Sequence, residues 1–125
     1  MEYFLENRSI IGLTEDIIIY GRKIKHVKAR IDTGATKSSM DESLAKELIL
    51  GPSIKNAVIK SASGQTTRPV VKAEVSIGGK KVSTEFTLIS RAHMKYKVLI
   101  GRNVLSKGFL IDPSKRGDDE KEVDV

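Results

Sequence analysis

The polar and apolar positions of this 125-residue chain alternate over short runs, a pattern that predicts strands more often than helices. Residues 15–20 form a short run rich in isoleucine, which is typical of a buried strand. After a turn, residues 24–31 alternate, and one of their faces is apolar from Val27 onward. The two segments predict a hairpin whose second strand ends just before Asp32.

A helical period follows between residues 41 and 52. Asp41 suits the cap of a helix, and Leu44, Leu48 and Ile49 then recur at helical spacing. We therefore expect one short helix whose apolar residues, Ile49 included, lie in the core. The Gly-Pro pair at residues 51–52 ends the run.

Strand character returns in the second half of the chain. The small, polar residues 61–67 predict the tip of one hairpin, and Gly78-Gly79 suits the two-residue turn of the next. A short helical turn is expected at residues 103–105. The predicted strands here are residues 57–59, 69–77, 81–89, 97–100 and 109–111. Together these elements predict a mostly β fold, a closed or folded-over β-barrel with one or two short helices.

The length fits one domain. We expect residues 10–112 to form it, residues 1–9 to be a flexible lead-in, and the charged residues 113–125 to be a disordered tail. No apolar run reaches the length of a membrane span, and the acidic N-terminus does not resemble a signal peptide. These features favour a cytoplasmic protein without membrane contact.

The chain has a formal net charge of +6, and its tail is net acidic, so the predicted domain is more basic than the whole. A basic surface favours an acidic partner, although a lysine-rich surface that only confers solubility gives the same composition. Aromatic residues are 5% and tryptophan is absent, so base stacking is not indicated and a nucleic-acid partner is not expected. The absence of cysteine excludes disulfides and thiol nucleophiles.

The strongest candidate for chemistry is the turn Asp32-Thr33-Gly34-Ala35 at the end of the predicted hairpin. Such a turn can hold a carboxylate in one place. The Thr33 hydroxyl can tie the turn down, and Gly34 permits backbone angles and close approaches that a β-carbon forbids. We expect the following Ser38 and Ser39 to form turn hydrogen bonds, because no histidine is placed by sequence to activate them as nucleophiles.

A second stretch, Leu99-Ile100-Gly101-Arg102, changes the interpretation of this turn. The two stretches together, with the hairpin between them, resemble the retropepsin-like aspartic proteases over residues 12–111. The sequences of residues 11–15, 29–39 and 109–114 are similar to those of a prokaryotic group labelled ATP-dependent zinc protease, found beside ATP-grasp amino-acid ligases. This chain has two histidines, no cysteine and no phosphate-binding loop, so we expect no metal site and no cofactor.

The resemblance implies a mechanism in which two carboxylates share one proton and activate a water molecule. The chain supplies one such acid, Asp32, so catalysis requires a homodimer in which two copies of Asp32 meet on a two-fold axis. The resemblance also implies supporting roles. Thr33 would bond to the partner's turn, Gly34 and Ala35 would support the carboxylate through backbone amides, Leu99, Ile100 and Gly101 would brace the turn, and Arg102 would anchor dimer contacts.

In the same family a hairpin flap closes over the substrate, and residues 61–67 match its position. The flap residues implied here are Ser61, Ala62, Ser63, Gly64 and Gln65. The stretch lacks the aromatic residue that some aspartic proteases place in the flap.

Three functions remain open from the sequence. The first is a homodimeric aspartic endopeptidase that hydrolyses peptide bonds in a peptide or protein tail, with an acidic substrate favoured by the basic charge. The second is a non-catalytic peptide-binding or dimerisation module on the same fold, favoured by the missing flap aromatic. The third, a basic nucleic-acid-binding β-domain, rests on charge alone.

Overall fold

The computed structural model describes residues 7–115, so most of the predicted lead-in and tail lies outside the described residues. Within that range the chain forms nine strands and two short helices. The strands are β1 (Ser9–Ile11), β2 (Thr14–Tyr20), β3 (Ile24–Ile31), β4 (Ser38–Asp41), β5 (Lys55–Ser61), β6 (Gly64–Ile77), β7 (Lys80–Ile89), β8 (Val98–Ile100) and β9 (Phe109–Ile111), and the helices are α1 (Glu42–Glu47) and α2 (Arg102–Leu105).

Six of the strands close into a barrel, which confirms the predicted mostly β architecture. Their order is β2-β3-β8-β4-β7-β6, and β6 pairs back onto β2 to complete the ring. Strand β5 pairs with the part of β6 that extends beyond the barrel, and β1 pairs with β9 in a separate parallel ribbon. Closure leaves few unpaired strand edges in the barrel itself.

Alternation along the long hairpin builds one side of the core. In β6 the side chains of Val71, Ala73, Val75 and Ile77 are buried while Lys72 and Glu74 between them are exposed. Strand β7 repeats the pattern, with Val82, Thr84, Phe86 and Leu88 buried. The helices α1 and α2 add Leu44, Ala45, Val104 and Leu105 to the same core.

Strand β8 lies between β3 and β4, and this insertion brings distant parts of the chain together. It runs parallel to β3, with Ile31 opposite Ile100, and antiparallel to β4, with Ser39 opposite Leu99. The ends of β3 and β8 therefore reach the same edge of the barrel. The segment after β3 contains Asp32, and the segment after β8 contains Gly101.

The prediction for Ile49 is wrong. Helix α1 ends at Glu47, and Ile49 has a φ of 55° and an exposed fraction of 53%. The left-handed backbone at Ile49 turns its side chain away from the apolar stripe of the helix, whereas Leu44 and Leu48 are buried as predicted.

Candidate active site

The turn at residues 32–37, called here the catalytic turn because the resemblance implies that role, joins β3 to β4 and holds Asp32 by hydrogen bonds at both its backbone and its carboxylate. The Asp32 amide donates to the carbonyl of Ile100 at 2.9 Å. The Gly34 amide donates to Asp32 Oδ1 at 2.9 Å, and the Ala35 amide donates to the Asp32 carbonyl at 3.3 Å. The carboxylate is therefore oriented by an amide of its own turn, while its residue remains half-exposed.

The sequence suggested that Gly34 adopts a backbone angle that a β-carbon forbids, but the φ of Gly34 is not positive. A β-carbon on Gly34 would lie 3.2 Å from Asp32 Oδ1, a contact tighter than most that real β-carbons make. Its lack of a side chain thus allows the amide to approach the carboxylate closely.

The start of α2 supports the turn from behind. The amides of Arg102 and Asn103 donate to the carbonyls of Ala35 and Thr36 at 2.8 and 3.1 Å. A β-carbon on Gly101 would lie 2.7 Å from the Lys37 carbonyl carbon and 2.9 Å from the Ala35 carbonyl oxygen. Because both are backbone atoms, this packing requires glycine at position 101.

A buried polar network ties the same elements together. The Ser38 hydroxyl accepts from the Gly101 amide at 2.9 Å and donates to Asn103 Oδ1 at 2.7 Å. Asn103 Nδ2 in turn donates to Thr84 Oγ1 and to the Glu85 carbonyl, both at 3.1 Å. The network links β4, β7 and α2, and it explains why the polar sequence at residues 38–41 forms a strand that its pattern does not predict.

The Arg102 guanidinium lies against the catalytic turn of its own chain. It donates to the Thr33 carbonyl at 2.8 Å and to Thr36 Oγ1 at 3.0 Å. Both bonds are exposed to solvent. They fix the outer edge of the turn, and the implied contact of Arg102 with a second subunit stays a prediction.

The hairpin of β5 and β6 carries the residues expected in a flap. Its turn lies at Ala62 and Ser63, between Ser61 at the end of β5 and Gly64 at the start of β6. The Ser61 hydroxyl lies 3.0 Å from that of Ser63 and donates to the Gly64 carbonyl at 3.4 Å. Every residue from 58 to 67 is exposed, Gln65 included.

A cavity of about 220 Å³ separates the catalytic turn from the base of this hairpin. Thr36 and Lys37 form its wall on the side of the turn, and Lys55 and Val70 form its wall on the side of the hairpin. The space is lined largely by apolar surface, and among its charged lining residues Lys55 pairs with Glu85 at 3.0 Å.

The loop before β8 contains a feature that the sequence pattern did not reveal. Arg91 is buried, its amide donates to Asp41 Oδ1 at 2.7 Å, and its Nε donates to the Tyr96 carbonyl at 2.9 Å. Burial lowers the pKa of the Arg91 guanidinium, the nearby Arg30 lowers it further, and Asp41 opposes both. A lone arginine in a polar stretch carries no periodic signal of burial.

Solved structures define the class of protein to which this fold belongs. The chain superposes on the protease of simian foamy virus with a TM-score of 0.58 and 22% identity, covering 74% of this chain and 91% of that one. It superposes on Lpg0085 of Legionella pneumophila, described as a protein of unknown function, with a TM-score of 0.62 and 18% identity, covering 88% and 97%. At these identities the likeness concerns the fold, which is retropepsin-like.

The family follows from the sequence itself. The profile of the RimB-like family, described as retropepsin-like aspartic endopeptidase RimB, matches residues 41–122, more than half of the chain. The chain belongs to this family. The matched range begins after the catalytic turn, so the assignment of Asp32 rests on the geometry of the turn and on the resemblance of its sequence.

Curated relatives carry a different name. A protein of Shewanella pealeana named "Probable alpha-L-glutamate ligase" is 28% identical over a match that covers 88% of this chain and 30% of the relative. A protein of Parasynechococcus marenigrum with the same name is 25% identical, with coverages of 87% and 29%. This chain therefore spans about 30% of the length of these relatives.

Two further properties of the described residues concern membrane spans and metal sites. No helix within residues 7–115 is long and apolar enough to cross a bilayer. The same residues contain no group of three histidine, cysteine or acidic side chains arranged to hold a metal ion. The cytoplasmic location and the absence of a cofactor stay predictions.

Proposed function

We propose that this chain is one subunit of a homodimeric aspartic endopeptidase, in which Asp32 of each copy contributes one carboxylate to a shared active site. The observation that carries the proposal is the half-exposed Asp32, whose Oδ1 accepts from the Gly34 amide at 2.9 Å on a turn supported by Gly101 and Arg102. The sequence contains no second Asp-Thr-Gly or Asp-Ser-Gly turn. A second copy is thus the source of the other acid.

The chemistry follows from placing two carboxyl groups side by side. Two acids about 3 Å apart do not both ionise, so the pair holds one proton and titrates as a unit. The ionised carboxylate takes a proton from water while the water oxygen attacks the peptide carbonyl. The protonated carboxyl gives its proton to the carbonyl oxygen, which forms a tetrahedral intermediate with two hydroxyl groups. As the intermediate collapses, the carboxyl that took a proton from water gives it to the amine nitrogen, the other carboxylate regains its proton from a hydroxyl of the intermediate, and the C–N bond breaks.

The proposed substrate is an acidic peptide or protein tail. The chain carries a net charge of +6, which attracts acidic segments over distances set by the ionic strength. The relatives named as glutamate ligases add support, because the product of a ligase that adds glutamate is the kind of substrate that a peptidase removing glutamate would cleave.

The test is the conservative variant Asp32→Asn in the full chain. Asparagine keeps an oxygen that accepts from the Gly34 amide, so the turn is preserved while the shared proton and the base are lost. We expect cleavage of a glutamate-rich peptide to fall by about 10³-fold or more. Asp16→Asn, an equal change of charge at an exposed position of β2, is the matched control and should keep full activity.

Undiminished cleavage by Asp32→Asn would overturn the proposal. If the wild-type chain binds such peptides without cleaving them, and Asp32→Asn binds them equally well, the non-catalytic peptide-binding module is the better account. The small residues at the flap tip, Ala62 and Ser63, are the observation that keeps this second candidate in view.

A further inference from the structure

A second cavity lies beside the strand that leads to Asp32. It has a volume of about 280 Å³ and is lined by Leu13, Thr14, Arg30, Ile31 and Tyr96. Ile31 directly precedes Asp32 in the chain, so one wall of this cavity is continuous with the catalytic turn. A peptide whose scissile bond lies at Asp32 has a neighbouring side chain within reach of this space.

Arg30 is the charged residue of this cavity. Its neighbours Ala29 and Ile31 are buried in the barrel, which places the Arg30 side chain on the opposite, exposed face of β3. Asp32 follows Arg30 by two positions in the chain, so about 7 Å separates the two residues along the direction of the strand. Among residues 7–115, no carboxylate forms a salt bridge with Arg30.

The register of the sheet brings a second guanidinium near this cation. Arg30 is opposite Leu99 of β8, and Leu99 is opposite Ser39 of β4, so the three residues share one face. The Ser39 hydroxyl accepts from Arg91 Nη1 at 3.4 Å on that face. Burial lowers the pKa of Arg91 most, the nearby Arg30 lowers it further, and Asp41 raises it. The guanidinium groups of Arg30 and Arg91 are thus close together.

We propose that Arg30 is a specificity-determining residue that binds the side-chain carboxylate of an acidic substrate residue in this cavity. A guanidinium offers two parallel N–H donors that match a carboxylate, which gives direction as well as attraction. The exposed side chain of Leu13 supplies apolar surface for the methylene groups that carry a glutamate carboxylate. The inference rests on the proposed function, since it assigns a binding site for that enzyme's substrate.

The experiment compares glutamate with glutamine, which has the same shape without the charge. A neutral peptide carries one glutamate or one glutamine, moved residue by residue, and mass spectrometry locates the cleaved bond. At one position relative to that bond, we expect the wild-type chain to prefer glutamate in kcat/KM by about tenfold or more. In Arg30→Gln that preference should fall to about one.

Two further variants make the result specific. Arg30→Met removes the charge but keeps an unbranched side chain, and it must lose the same preference. Arg22→Gln makes the same change of charge in the exposed turn between β2 and β3, and it must keep the preference. Retention of the preference in either Arg30 variant, or an equal loss in Arg22→Gln, overturns the proposal.

A binding measurement separates this inference from the catalytic proposal. Fluorescence anisotropy of the same labelled peptides is measured with Asp32→Asn and with the double variant Asp32→Asn/Arg30→Gln. Tighter binding of the glutamate peptide that disappears in the double variant supports the role of Arg30 even where no peptide is cleaved. Equal binding of the two peptides by Asp32→Asn, or no binding of either, contradicts it.

Discussion

The catalytic turn and the flap hairpin both connect strands of one sheet, but the chain holds them very differently. The turn is bonded to β8 through the Asp32 amide, to α2 through the carbonyls of Ala35 and Thr36, and to the guanidinium of Arg102. The described bonds at the flap tip are local, between Ser61 and its near neighbours. Tertiary contacts are therefore concentrated where a carboxylate must keep its position.

This difference suits the roles proposed for the two parts. A carboxylate that shares a proton with a partner must be placed to within a fraction of an ångström, and backbone hydrogen bonds to β8 and to the start of α2 supply that precision. A lid must open to admit substrate, and few buried contacts make local opening easy. Mutations in the two regions should therefore separate stability from substrate binding.

The largest effect on the fold is expected from Gly101→Ala. The added methyl group would lie 2.7 Å from the Lys37 carbonyl carbon, so the turn or α2 must shift. We expect the free energy of unfolding to fall by about 1–3 kcal/mol, with a further loss of peptide cleavage because the turn moves. Urea unfolding followed by circular dichroism measures the first effect, and a peptide assay measures the second.

Gly64→Ala is the matched change in the flap. Gly64 has a φ of 126°, and no atom lies within 4 Å of an added β-carbon. Its cost is backbone strain alone, of order 1 kcal/mol. A loss of stability in Gly64→Ala larger than that in Gly101→Ala would contradict the account of a packed turn and an open flap.

An effect of the same order, with a different cause, is expected from Ser38→Ala. The change removes the buried acceptor of the Gly101 amide and the donor to Asn103. An amide left without a partner in the interior costs about 1–3 kcal/mol, so the urea midpoint should fall accordingly. Ser61→Ala in the exposed flap is the control and should change the free energy of unfolding by less than about 0.5 kcal/mol. Similar losses in both variants would remove the distinction between the regions.

The smallest effect on stability is expected from Val58→Thr in β5. Val58 is 58% exposed, so replacing a methyl group by a hydroxyl should leave the unfolding curve nearly unchanged. If this hairpin covers the substrate, the same change should raise KM by about fourfold, because one apolar contact is lost. Ile24→Thr, at a side chain that is 62% exposed in another hairpin, should leave KM unchanged. An unchanged KM in Val58→Thr would argue against the flap role.

The elements that sequence reasoning predicted are those with a strong local signal. The alternation at residues 69–77 and 81–89 reflects strands with one buried face, and the turn between them has positive φ angles at Gly78 and Gly79, which glycine permits. Helix α1 was also predicted, with Leu44 and Leu48 in the core.

The features that sequence reasoning missed depend on partners far along the chain. Strand β4 is polar, and Ser38 is buried only because Gly101 and Asn103 satisfy its hydroxyl. The burial of Arg91 depends on Asp41, fifty residues earlier. A local sequence pattern cannot reveal such contacts, because the residues next to Ser38 and Arg91 in the chain do not make them.

In the proposed enzyme the active site needs Asp32 from two copies of the chain. The direct measurement mixes a fixed amount of wild-type chain with increasing amounts of Asp32→Asn under conditions that let subunits exchange, and follows peptide cleavage. A shared site predicts that peptide cleavage slows as Asp32→Asn is added and falls to about one half when the two chains are present in equal amounts. The reason is that mixed dimers carry one asparagine and are inactive. Asp16→Asn added in the same way should not inhibit. Activity that stays constant in the presence of excess Asp32→Asn would contradict the shared site.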